Sequence, residues 1–454
     1  MKKKLLPLVI LILVLPLVGL GCKGLSKEEQ AATQRVTLEY WTVFDDVDAM
    51  QAQIDKYKAD RPYLTINLKQ LRVDEIYPRL LEALAEDRGP DIISVRNRWM
   101  TFYKPKLAAM PGSVSDTTVR VEKTTLGTKT TVSTVNQNLL TPNQLEKEYV
   151  QAVKNDVIMD NQIYGLPLSL ENMALYYNKD LLDRANIAEP PKTWEDFQEA
   201  VKKITKFDRT SGNIVQAGTA LGTGNNISGF EDIIYILFKQ SGVNLIKDGR
   251  VNFSTRDQAN PAISVMNFYT DFANSSRDTY AWNEDMAMSL DKFINGSLAF
   301  FFGYSYHYPV IKARAPQLNM AVLPMLQLNP EQPVNVANYW VQAVTDKSKH
   351  KNEAWALLNY LAHSKVTKDY LEQSGRPAAL RAYIAGQLDN DQLYPFASQV
   401  LISDSWYKGK DYDATVKAMA DMTHEWLLPA PEGRELQWKQ EVLNRAASKI
   451  NQTF

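Results

Sequence analysis

The chain has 454 residues, 45% of them hydrophobic, with 51 Lys plus Arg against 52 Asp plus Glu, a formal net charge of -1 and one cysteine. Basic and acidic residues are interspersed rather than segregated, which speaks against a nucleic-acid-binding surface. A single cysteine rules out a disulfide within the chain, so stability rests on buried apolar surface, and this length exceeds what one hydrophobic core serves, which points to two domains.

Lys2, Lys3 and Lys4 precede an uncharged run from Leu5 to Gly21 dominated by Leu, Val and Ile, the layout of a signal peptide over residues 1–21. About 17 apolar residues is the lower limit for crossing a bilayer, and polar residues follow from Ser26, so a cleaved signal fits better than a permanent span. Val18-Gly19-Leu20-Gly21-Cys22 resembles the bacterial lipobox, with Gly19 where that pattern usually has Leu. The resemblance implies acylation of Cys22 and a membrane-anchored mature chain; a plain secretory signal with an incidental thiol is the alternative. Loss of the three lysines leaves 48 Lys plus Arg against 52 Asp plus Glu, a net charge of -4. Residues 22–35, polar and without an apolar period, read as a flexible tether behind the lipid.

Val36 to Trp41 alternates with β-branched and aromatic residues, as a strand does. An amphipathic stretch from Asp46 to Ala59 ends at Arg61-Pro62. Leu64 to Leu68 reads as a strand, Ile76 to Glu86 as a helix, and Pro90 to Val95 as a strand, a parallel α/β unit with right-handed crossovers. Residues 111–135, rich in Ser, Thr and Val, predict a two-stranded excursion on the surface. Ile163 to Pro167 reads as a turn and Ala174 to Tyr177 as a buried strand. A second α/β pattern follows, with helices over Trp194 to Ile204, Phe230 to Gln240 and Ile263 to Phe272 and a strand over Ser297 to Phe302. The last third is mostly helical in pattern.

Ala174-Leu175-Tyr176-Tyr177-Asn178-Lys179-Asp180-Leu181-Leu182, followed by Pro190-Pro191-Lys192-Thr193-Trp194-Glu195-Asp196-Phe197, resembles the extracellular solute-binding proteins of ABC importers, specifically the sugar-binding type related to maltose-binding protein. Thr193 and Asp196 also have the spacing of a helix capping box. Ile163 to Pro167, Phe293 to Ser305, Val336 to Trp340 with Lys347 to Trp355, and Ser374 to Ala378 are similar to further segments of that family, in its order. The resemblance spans about Val36 to Trp426 and is weakest over residues 111–135.

It implies an α/β, two-lobed periplasmic-binding-protein fold of type II-like topology, each lobe a mixed sheet flanked by helices, with hinge-crossing segments. Residues 36–175 and 336–385 would form the N-terminal lobe, 176–335 and 386–454 the C-terminal lobe. A solute in the cleft between them would be handed to ABC-transporter permease subunits. Sugar rings present an apolar face and a rim of hydroxyls, so aromatic side chains cover the face and polar ones take the rim. Carried over by position, the resemblance implies Trp41, Trp99, Tyr103, Tyr304 and Trp340 as the rings, each after a strand, with Trp406 in the C-terminal helical region, and Asp45, Asp46, Asn97, Glu171 and Arg376 as the polar partners. Trp282 is a weaker candidate, and Trp194, Trp355 and Trp426 are assigned to packing.

His307, His350, His363 and His424 lack metal-ligand spacing, and no cofactor or catalytic group is expected. Gly303-Tyr304-Ser305-Tyr306-His307 lacks the final glycine of a nucleophile elbow, and Gly222-Thr223-Gly224-Asn225-Asn226 lacks the lysine of a nucleotide loop. The expected protein is a monomeric, extracytoplasmic, lipid-anchored carrier of a sugar or oligosaccharide. Alternatives are the same fold with glycerol phosphate, a polyamine or a peptide, or a secreted glycosidase.

Overall fold

The computed structural model describes residues 25–43, 45–125, 127–247, 249–251, 253, 260–362 and 365–454. The signal segment, Cys22 and His363 lie outside the described residues.

Two separate hydrophobic cores organise the chain. One runs from Leu38 to Leu170 and resumes at Ala337; the other runs from Met173 to Val336 and resumes at Phe396, with Val400 alone returning to the first. The first core packs on a five-stranded mixed sheet in the order Leu64–Gln70, Val36–Thr42, Ile92–Arg96, Trp340–Val344, Leu166–Pro167. Its first three strands are parallel, in register from Val36 opposite Leu64 and Tyr40 opposite Ile92. The returning strand is antiparallel, with Trp340 opposite Arg96 and Val344 opposite Ile92. Helix Val47–Ala59, capped by the Asp46 side chain, buries Met50, Ile54 and Tyr57.

The second core surrounds a sheet in the order Lys206–Phe207, Ile214–Thr219, Leu298–Gly303, Ala174–Asn178, Met320–Pro324. The Leu298–Gly303 strand is buried along its whole length, as a continuous apolar run at the centre of a sheet must be. Helix Trp194–Ile204 starts with the expected capping box: the Asp196 amide donates to Thr193 Oγ1 at 3.0 Å and the Thr193 amide to Asp196 Oδ2 at 3.2 Å. Trp194 lies edge-on to Phe197 and Phe268 at 5.5 and 5.4 Å, which makes it a core residue.

Where the chain passes between the cores, three short segments pair as a small sheet of their own. Asn335–Asn338 is central, parallel to Ser403–Asp404 and antiparallel to Glu171–Asn172. Around it, Asn335 Nδ2 donates to the Met173 carbonyl at 2.7 Å and to Gln399 Oε1 at 2.8 Å. This is the hinge of the two-lobed, mixed α/β fold that the resemblance implied.

The excursion over residues 111–135 is an antiparallel ribbon of Ser113–Thr124 and Gly127–Asn138. Its base is bolted to the first lobe, since Arg61 Nε donates to the buried Asp116 at 2.7 Å and Asn352 exchanges two 2.8 Å hydrogen bonds with the Ser115 backbone. One expectation needs correction. Residues 163–167 are more than a turn: Leu166–Pro167 forms the edge strand beside Val341, and a Cβ at Gly165 would come within 2.5 Å of Val341 Cγ1, so glycine permits that approach. Within the polar segment expected as a flexible tether, Lys27–Ala32 is a helix, closed by a capping box between Ser26 and Glu29.

Candidate functional site

A cavity of about 210 Å³ lies between the cores, against the hinge sheet. The N-terminal lobe contributes Val73, the first residue of helix Val73–Ala85; Arg96, the last residue of its strand; and Trp340, directly across the ladder from Arg96. Glu171 and Asn338, paired in the hinge sheet, form its floor. Tyr306, three residues past the Leu298–Gly303 strand, and Arg376, two residues past helix Lys365–Ser374, complete the wall. Arg96 and Tyr306 thus project from the carboxyl ends of their strands, where open α/β sheets collect ligand-binding groups.

Glu171 is buried and fully engaged. Its Oε1 accepts from Arg376 Nη1 at 2.9 Å, and its Oε2 from the Ser305 amide at 3.1 Å and the Ser305 hydroxyl. Burial works against the Arg376 charge, but Tyr370, Glu171 and Asp45 outweigh it and hold the guanidinium pKa above its ordinary value. Arg96 is placed differently. Its Nε donates to Asn338 Oδ1 at 3.1 Å and its guanidinium carbon lies 5.1 Å from the Tyr412 ring centre. Among the described residues no carboxylate lies within ion-pair distance of it.

The rings are held from behind. Trp340 meets Trp99 edge-on at 5.9 Å and 87°, and Trp99 stacks on Tyr103 at 6.2 Å. Tyr306 stacks on Tyr304 at 5.4 Å and touches His307 at 4.4 Å. Beneath them runs a buried polar network that ties the lobes. Arg98, fully buried and two residues past the Ile92–Arg96 strand, puts Nη2 2.6 Å from Asp232 Oδ1 and Nη1 3.8 Å from Glu231 Oε1. Tyr412 accepts from Arg98 and donates to Glu231 at 2.9 Å; Trp406 Nε1 donates to Asp232 at 3.0 Å, and the Tyr304 hydroxyl donates to the same carboxylate. Burial and the neighbouring Asp232 push the Glu231 carboxyl up, against the pull of Arg98.

Of the residues expected from sequence, Glu171, Trp340 and Arg376 line this cavity, while Trp99, Tyr103 and Tyr304 stand directly behind its rings. Trp406 lies in the loop after Ser403–Asp404, not in a helix, and its ring is buried against Tyr235 at 5.8 Å. Asn97 ties strand to hinge, donating to the Ala337 carbonyl at 3.2 Å and to Ser405 Oγ at 2.8 Å. Asp45 is a buried anchor within the first lobe, accepting from Ser94 at 3.0 Å and Gln342 at 2.9 Å, and Asp46 is a helix cap, accepting from the Ala49 amide at 2.9 Å. Trp41 is half-buried on its strand with Lys69 Nζ 5.8 Å from its ring centre. Trp282 is fully buried and donates to Asn226 at 2.9 Å. Sequence reasoning passed over Arg96, Asn338 and Tyr306, although each lies within or beside a segment it singled out, and over Arg98 and Asp232. A wider groove of about 480 Å³ lies on the C-terminal lobe near Trp426 and Trp438, but Lys439 and Arg445 already sit over those rings at 5.8 and 4.9 Å.

Two lobes, a hinge built from crossing strands and a cavity against that hinge define a cleft-type solute-binding protein. The chain belongs to the bacterial extracellular solute-binding proteins, whose family model matches residues 52–395. It is 21% identical over 365 residues to the multiple sugar-binding protein of Streptococcus mutans, 78% of each chain. Its fold is similar to that of an ABC-transporter solute-binding protein from Thermotoga lettingae bound with alpha-D-tagatose (TM-score 0.67, 19% identity, 92% of this chain and 99% of that one). It is also similar to the sugar-binding protein MalE from Xanthomonas citri (TM-score 0.68, 17% identity, 92% and 98%).

Proposed function

We propose that the protein binds a sugar in the interlobe cavity and delivers it to the permease of an ABC importer, as a monomer held to the membrane through acylated Cys22. The observation that carries the sugar reading is Trp340, half-buried in the cavity wall and flanked by Arg96, Asn338, Glu171 and Arg376: an apolar platform inside a ring of hydrogen-bonding groups. What the relatives bind supports the same reading. Residues 36–175 with 336–385 and residues 176–335 with 386–454 act as the moving lobes, and a solute touching both biases their closure by its differential affinity for the closed form. Glu171 is the one carboxylate among the described residues lining the cavity, and it is occupied by Arg376 and Ser305, which favours a carrier over a two-carboxylate glycosidase.

A thermal-shift screen of mono- and oligosaccharides tests this, because a ligand at roughly 100 times its dissociation constant stabilises by about 2.7 kcal/mol. Stabilisation without product formation is expected. Hits confined to amines or peptides, or turnover of the sugar, would sink the proposal. The anchor is tested separately: Cys22→Ser should move the protein out of the membrane fraction.

A further inference from the structure

We propose that the solute is a single-ring acidic sugar, its carboxylate gripped by Arg96 while its ring lies on Trp340; this rests on the sugar reading above. The cavity has two cations, and they differ in one respect. Arg376 is neutralised by Glu171 at 2.9 Å, whereas Arg96 makes one side-chain hydrogen bond, from Nε to Asn338, and its two Nη groups have no partner among the described residues. The charges nearest Arg96 do not replace such a partner. Glu231 is engaged by Tyr412 at 2.9 Å and by Arg98, and Asp413 is at the surface.

A partly buried guanidinium without a counter-charge is costly, and its free Nη edge is the fork that takes a carboxylate through two parallel hydrogen bonds. Register supplies the second half of the site. Arg96 and Trp340 face each other across the ladder, so their side chains leave the same face of the sheet about 5 Å apart. A ring lying on the indole therefore brings a substituent at its edge to the guanidinium. The space, about 210 Å³, is below the roughly 300 to 1,000 Å³ of pockets for larger ligands and suits one ring.

The test is a titration of the purified protein, read by tryptophan fluorescence, with D-glucuronate and D-galacturonate against D-glucose, D-galactose and glucose 1-phosphate. The uronates should bind at least about tenfold more tightly than their parent hexoses, with a margin that shrinks in roughly 0.5 M NaCl. Arg96→Gln should abolish the margin and Arg96→Lys keep part of it. Hexoses binding as tightly as uronates would overturn the acidic assignment and leave the sugar reading standing, and preference for the phosphate would overturn the carboxylate. Binding of oligosaccharides alone would overturn the single ring. If no saccharide bound, the sugar reading would fall first. The wild-type ratio decides the matter even if an Arg96 variant folds poorly.

Discussion

Acid should destabilise this protein through His307. The ring is buried, and its Nδ1 accepts a hydrogen bond from the Tyr304 amide at 2.9 Å. An accepting Nδ1 cannot carry a proton, and burial pulls the pKa down from 6.5 to about 3. Between those two values the unfolded chain holds a proton here that the folded chain does not. Stability is therefore complete above the free value and falls as the pH drops below it, until the folded pKa is reached. At about pH 5, some 1.5 units below the free value, the loss is about 2 kcal/mol. The assay is urea unfolding of the wild type and His307→Asn at about pH 7.5 and pH 5; asparagine keeps an acceptor near the Nδ1 position and does not titrate. The wild type should lose about 2 kcal/mol more than the variant. Equal losses would refute the reasoning, because every other titrating group is common to both. Because folded His307 stays neutral down to about pH 3, its titration should not weaken solute binding over this range.

Arg98→Met should cost roughly 3 to 5 kcal/mol in chemical unfolding, because it strands Asp232 and Glu231 in the interior, and Asp232→Asn in the same chain should recover part of the loss. Trp340→Ala should weaken sugar binding by about 2 kcal/mol, roughly thirtyfold in Kd by calorimetry, with little change in unfolding because the ring is only half-buried. Asp116→Asn removes the charge that Arg61 holds at the base of the ribbon; trypsin should then cut faster at the exposed Arg120, Lys123 and Lys129, and an unchanged rate would mean that backbone pairing alone secures the ribbon.

Elements whose signals are local were readable residue by residue. Helix Trp194–Ile204 is announced by Thr193 and Asp196 and by its apolar spacing, and the Leu298–Gly303 strand by an unbroken apolar run. The tether helix was missed although its capping box is equally local, because Lys27–Ala32 has no buried side chain and so no apolar period to mark it. The edge strand at Leu166 was read as a turn because it forms only where Val341 and Gln342 return to meet it.

For the site the division is sharper. The family resemblance, with residue type, was enough to bring Glu171, Trp340 and Arg376 forward as candidates. It was not enough to separate Tyr304 from Tyr306, two positions apart, of which one is sealed under the other and only the second lines the cavity. Asp45 looked equally suitable, yet its oxygens are taken by Gln342 and Tyr370, 297 and 325 positions away. By itself, then, the sequence determined most helices and strands, which follow from periodicity and caps within short windows, while the two-lobed class and the kinds of side chain near the hinge came through the family resemblance of its motifs. Only the tertiary structure decided that Arg96 stands beside Trp340 with its Nη groups unpartnered among the described residues. That pairing joins residues 244 positions apart, and long-range register sets which polar group is satisfied inside the fold and which is left for a solute.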